Sequence, residues 1–156
     1  MKLSNKRRLF LKSAVATSSL GVAISAGLLT PSAVLASWPE TAFTAKSSAD
    51  AINALFGATA TQSDKVIVDV NDVAENGAIV PVTIKTSLEN VENMSILVNE
   101  NTSPMTASFN LQPEFGDSVS IRVKVAKPSD IIGVVKAGGK LYSNKKHVKV
   151  TQGGCG

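Results

Sequence analysis

The sequence holds one cysteine, one histidine, one tryptophan and one tyrosine in 156 residues, and aromatic side chains make up only 4% of it. A lone cysteine excludes an internal disulfide framework and any thiolate metal cluster. A single histidine leaves few ligands for a metal, and no haem, dinucleotide or P-loop pattern is present, so no cofactor and no metal are expected. Acidic residues are missing from the first 36 positions, where Lys2, Lys6, Arg7, Arg8 and Lys12 account for the formal charge of +4. Without that segment eleven basic residues face twelve acidic ones. The basicity is therefore local, and a nucleic-acid surface loses its main support. What remains is long enough for one small domain.

Residues 6–12 read Lys-Arg-Arg-Leu-Phe-Leu-Lys, followed by a weakly apolar run from Ser13 to Thr30, then Pro31 and Val34-Leu35-Ala36. Charged, apolar and small-residue regions follow in the order of a cleavable export signal. Arg7 and Arg8 with Leu9, Phe10, Leu11 and Lys12 resemble the twin-arginine signal, although Lys6 stands where Ser or Thr is usual. A retained membrane anchor is the competing reading. The run is rich in Ala, Ser and Gly and lacks the bulky residues that favour spanning. Residues 1–36 are thus expected to direct a folded chain to the periplasm, with cleavage after Ala36 and no membrane association afterwards. Export in the folded state points to a partner subunit acquired before export.

Residues 37–57 read as a helix. Ser37 and Glu40 have capping-box spacing, Pro39 is tolerated in a first turn, and Gly57 suits the stop. Ala45, Ala49, Ile52 and Phe56 are placed on one face. Beyond Gly57 the period changes. Val119, Ile121, Val123 and Val125 alternate with Ser118, Ser120, Arg122 and Lys124, which predicts a strand with one buried face. Weaker alternation appears at Val66–Val70, Val80–Ile84, Met94–Val98, Met105–Leu111 and Val148–Val150, with Ile131–Val135 and Leu141-Tyr142 less clear. Turn residues separate these runs at Glu75-Asn76-Gly77, Asn99–Pro104, Pro113–Gly116, Pro128-Ser129-Asp130 and Gly138-Gly139-Lys140. Six or seven short strands predict a mainly β domain over residues 37–150, an antiparallel immunoglobulin-like β-sandwich with an N-terminal helix. Lys145, Lys146 and Lys149 are expected to protect the last strand as an edge, or alternatively to attract an anionic substrate or acidic docking surfaces. His147 among them is expected to be exposed and structural.

After Val150 the sequence reads Thr151-Gln152-Gly153-Gly154-Cys155-Gly156, with no apolar residue to bury. Glycines on both sides of the thiol remove Cβ packing and open positive φ, so residues 151–156 are expected to form a flexible Gly-rich arm. No cation or helix N-terminus accompanies Cys155 to lower its pKa, and the nearby carboxylate of Gly156 opposes ionisation. Cys155 is therefore expected to be activated by whichever enzyme receives the arm.

The ending Gly-Gly-Cys-Gly, the twin-arginine signal and the segment Ala42–Ser47 with Ala51 and Leu55-Phe56-Gly57 together resemble SoxY, the sulfur-carrier family of the periplasmic thiosulfate-oxidising (Sox) system. Members commonly end Gly-Gly-Cys-Gly-Gly, one glycine more than is found here. The resemblance implies that Cys155 is the substrate attachment point and that Gly153, Gly154 and Gly156 supply the arm's flexibility. It implies a SoxZ-like small β protein as heterodimer partner. It also implies a c-type cytochrome that joins thiosulfate to the thiol, a sulfate-releasing hydrolase, and a sulfur dehydrogenase acting on the sulfur that remains.

Two other classes are weighed. A thiol hydrolase or reductase would need a base and a second sulfur, but His147 is the only imidazole and no Cys-x-x-Cys pair exists. An exported interaction module with an incidental or intermolecularly bonded cysteine explains the fold equally well, but not the glycines around the thiol. Lipid attachment lacks a cysteine at the cleavage site and the spacing of a prenylation box.

Overall fold

The computed structural model describes residues 39–112 and 116–152, the last by its backbone only. The expected signal, including Arg7 and Arg8, lies outside them, as does most of the turn at 113–116. Two short helices, α1 (Glu40–Thr44) and α2 (Ser48–Phe56), precede nine strands. These are β1 (Thr61–Gln62), β2 (Val66–Asp69), β3 (Val73–Asn76), β4 (Val80–Thr86), β5 (Val91–Val98), β6 (Met105–Asn110), β7 (Ser118–Val123), β8 (Ser129–Ala137) and β9 (Lys140–Gln152).

The single helix expected over 37–57 is broken in two. Ala45 and Ser47 both adopt extended backbone, and the Ser47 side chain accepts a hydrogen bond from the Asp50 amide, so α2 has its own cap within the segment, while Ser37 lies outside the described residues. Gly57 ends α2 in the left-handed region with φ 69°, and its N–H donates to the Asn53 carbonyl at 2.7 Å. Ala45, Ile52 and Phe56 of the expected face do pack on the core, while Ala49 gives way to Ser48 and Ala51. Ser48 and Ala51 are buried and Ala49 is exposed. A nine-residue helix is marginal alone, and α2 is held by packing Ala51, Ile52 and Leu55 against the sheet.

The larger sheet runs β1-β9-β8-β5-β6, with β3 also paired to β9, and the smaller runs β2-β4-β7. The sheets pack face to face: Val66, Val68, Val80, Val82 and Ile84 from one meet Met94, Ile96, Val98, Ile131 and Val135 from the other. On its opposite face the large sheet presents Leu97, Met105, Val134 and Leu141 to Ala51 of α2. The order is helix, large sheet, small sheet. This layering explains why β7 reads clearly in the sequence and β8 does not. One face of β7 meets solvent and alternates, whereas β8 is covered on both faces.

Three further expectations are corrected. The sandwich is not wholly antiparallel, because β1 and β3 pair in parallel with β9. Consequently β9 is not an edge strand: β8 takes one side, while Ser63 and Asp72, adjoining β1 and β3, bond to the backbone of Ser143 and Lys149 on the other. Finally, the separate runs at Leu141-Tyr142 and Val148–Val150 are one thirteen-residue strand that continues to Gln152. Two of the polar residues between them, Asn144 and Lys146, turn inward to the seam of the two sheets. Asn144 Nδ2 donates to the Val66 carbonyl at 2.8 Å and Lys146 Nζ to the Val70 carbonyl at 2.6 Å, blocking the edge of β2. The β8–β9 turn is as expected, with Gly138 and Gly139 at φ 55° and 71°, the pair of positive angles a two-residue hairpin requires.

Candidate functional site

Cys155, Gly153, Gly154 and Gly156 lie outside the described residues. What the structure positions is the strand that leads to them. β9 is held by β8 from Lys140 to Val148 and by β3 from Lys149 to Gln152. At its end Val73 faces Lys149, Ala74 faces Val150 and Asn76 faces Gln152. The Thr151 hydroxyl lies 3.1 Å from the Glu75 carbonyl and 3.4 Å from that of Ala74, so the strand pair is laced to its last turn. Asn76 in turn accepts the Ala78 amide on its Oδ1 at 2.9 Å, which forms the bend from β3 back to β4.

The lysines upstream are largely matched by carboxylates. Lys146 Nζ lies 2.9 Å from Asp72 Oδ1, and Lys145 Nζ lies 2.8 Å from Asp130 Oδ2. His147 Nδ1 meets Asp130 Oδ1 at 2.8 Å, while its side chain stays exposed. The Lys145 hydrogen bond, reinforced by that of His147, holds the Asp130 carboxyl below the usual aspartate range. This is a mixed-charge surface rather than a basic patch. His147 stands five residues before Gln152, about 16 Å back along an extended strand. Among the described residues no three His, Cys, Asp or Glu side chains gather as a metal site would require.

Sequence reasoning missed β3 and the exposed side chains around it. Val73 is 49% exposed and Ile79 is 59% exposed, on either side of the bend opposite the end of β9. A four-residue strand between Asp72 and Gly77 reads as loop, since its pairing partner lies over seventy positions away. A groove of about 420 Å³ lies between α2 and the strands, lined by Ala49, Ile52, Ala60, Ile132 and Lys145 among others.

Residues 52–155 match the family described as "Sulfur oxidation protein SoxY". A solved structure, that of the sulfur carrier protein SoxY from Chlorobium limicola f thiosulfatophilum, is 45% identical and superposes with a TM-score of 0.60, covering 65% of this chain and 94% of that one. A superoxide reductase (neelaredoxin) from Ignicoccus hospitalis superposes with a TM-score of 0.49 at 10% identity, covering 55% of this chain and 79% of that one. No curated protein matches. A mainly β chain in two sheets with a few short helices, matched over these residues, is a protein of sulfur oxidation. It belongs to the SoxY family of sulfur carrier proteins.

Proposed function

We propose that this chain is exported through the twin-arginine signal at Arg7 and Arg8 to the periplasm, and there carries thiosulfate-derived intermediates on Cys155. The observation that supports this most is that the family match runs through to Cys155, the only thiol of the chain. The domain is then an immunoglobulin-like sandwich whose last strand presents a flexible glycine-rich arm. The described part of β9 reaches Gln152. Cys155 stands three positions beyond Gln152, a reach of about 10 Å when extended.

In loading, Cys155 and thiosulfate join through a new S–S bond. The thiol proton is released, and two electrons pass singly to two ferric haem equivalents of c-type cytochrome, giving the S-thiosulfonate. Hydrolysis then cleaves the bond between the two sulfurs of the thiosulfate moiety. Water supplies oxygen to the departing sulfone as sulfate, two protons are released, and a persulfide anion remains on Cys155 for a sulfur dehydrogenase. The chain itself supplies attachment and delivery and needs no cofactor. A covalent bond keeps each intermediate from diffusing away and raises its concentration at the next enzyme. A SoxZ-like small β protein completes the heterodimer.

A carrier and not a thiol enzyme is favoured by the placement of His147. Asp130 engages its Nδ1, and its distance back along β9 exceeds the reach of the arm. Intact-mass measurement tests the reading. Incubated with thiosulfate and the loading cytochrome, the wild-type chain should gain one thiosulfonate and Cys155→Ser should gain none; equal gain by both, or turnover of thiosulfate by the chain alone, refutes it.

A further inference from the structure

The end of β9 carries a surface that the carrier reading does not itself explain. β3 pairs with β9 along one edge, and among the described residues no strand takes the other. Beside that open edge is a groove of about 280 Å³ between Val73 and Glu75 on one wall and Ile79 and Pro81 on the other. Val73, 49% exposed, and Ile79, 59% exposed, are two of three large apolar side chains that the described surface leaves uncovered. The third, Ile67, is 52% exposed on the outer face of the small sheet. An open strand edge flanked by apolar side chains is a liability that folds usually cover or charge. Here neither Val73 nor Ile79 is replaced by a charge.

The occupant follows from chain length. Gln152 is in register with Asn76, the last residue of β3, and only Gly153 and Gly154 lie between Gln152 and Cys155. A sulfur within about 10 Å of that point enters a cleft in another protein only if the rim of the cleft comes down onto the surface around Asn76. We propose that the β3 edge with Val73 and Ile79 is the docking surface for the enzyme that oxidatively joins thiosulfate to Cys155, received by an apolar rim beside that enzyme's cleft. This inference rests on Cys155 being the attachment atom.

The test uses the mature chain with its copurifying partner subunit and two variants, Ile79→Lys alone and Val73→Lys with Ile79→Lys. Ile67→Lys is the control. Each is loaded in two ways and followed by intact mass. Tetrathionate loads without an enzyme: the Cys155 thiolate attacks a central sulfur, forms the thiosulfonate and expels thiosulfate. The cytochrome with thiosulfate loads enzymatically. The expected result is unchanged loading by tetrathionate in all variants, and a fall in enzymatic kcat/KM of about tenfold or more in the double variant, smaller in Ile79→Lys, absent in Ile67→Lys. Wild-type kcat/KM in the double variant overturns the inference. So does an equal fall in Ile67→Lys, or loss of the partner subunit from the double variant, which would make the surface the subunit interface. Loss of tetrathionate loading in both lysine variants marks misfolding at this edge and overturns the separation of docking from folding on which the inference depends. The carrier reading fails by a different result, enzymatic loading of Cys155→Ser.

Discussion

Gln152 on β9 stands in register with Asn76 on β3, each the final residue of its strand. The chain is therefore anchored almost up to the glycines, and the Thr151 hydroxyl, bonded to β3 carbonyls, is the last fastening among the described side chains. Thr151→Val keeps the β-branched shape and removes the hydrogen bond. It should cost less than about 1 kcal/mol of global stability, because the site is exposed, yet speed amide exchange in β3 and the last residues of β9 severalfold. Hydrogen exchange read by mass spectrometry checks this; unchanged protection at residues 73–76 would show that the backbone pairing alone holds the strand.

Gly133 of β8 faces Ile84 of β4 across the sandwich so closely that a Cβ on it would stand 2.7 Å from Ile84 Cδ1 and 3.2 Å from Val68 Cγ2. The close approach of the two sheets requires the missing side chain. Gly133→Ala should destabilise the fold by about 1–2 kcal/mol, the strain of overpacking exceeding the entropy gained in the unfolded chain. Ile84→Val removes the offending methyl, so the double variant should be more stable than the two single losses added together. Denaturant midpoints for the four chains decide the matter, and strict additivity would contradict the contact.

Asp130 joins Lys145 and His147 through one carboxylate, and these bonds lower its pKa from the ordinary 3.8. For a lowered carboxyl, the stabilisation is complete above the ordinary value and is lost as pH falls through the folded-state value. Asp130→Asn should therefore lower the melting temperature at neutral pH by an amount equivalent to less than about 1 kcal/mol, since both partners are largely exposed. The difference from wild type should shrink below the ordinary aspartate range. A melting series from neutral to acid pH checks this, and a difference that grew on acidification would give the opposite sign.

Much of this molecule is legible in its local chemistry. The alternation from Val119 to Val123, the stop at Gly57 and the paired glycines at 138 and 139 each depend on neighbours in sequence, and each appears where that chemistry places it. The terminal Gly-Gly-Cys-Gly likewise needs no fold to be noticed. It is a thiol with no apolar company and no bulky neighbour, and it carries the family resemblance that residues 52–155 bear out.

Other features depend on residues distant in the chain. β8 is apolar on both faces because a helix and a second sheet sandwich it, and no local period reveals that. The polar run Asn144–His147 resembles a break between strands until Val66 and Val70 bring their carbonyls to it. Ser47 caps the packed helix because α2 presents Ser48 and Ala51 to the molecule, and Ser48 Oγ finds Asn99 Oδ1 at 2.8 Å. Amino-acid order alone thus determined the strand-forming segments, the turns and the chemical character of the tail, all set by backbone preference and side-chain type. Only the tertiary structure decided that β9 lies inside the sheet and that β3 runs beside its end, because parallel pairing between segments over seventy residues apart depends on backbone groups that every residue carries.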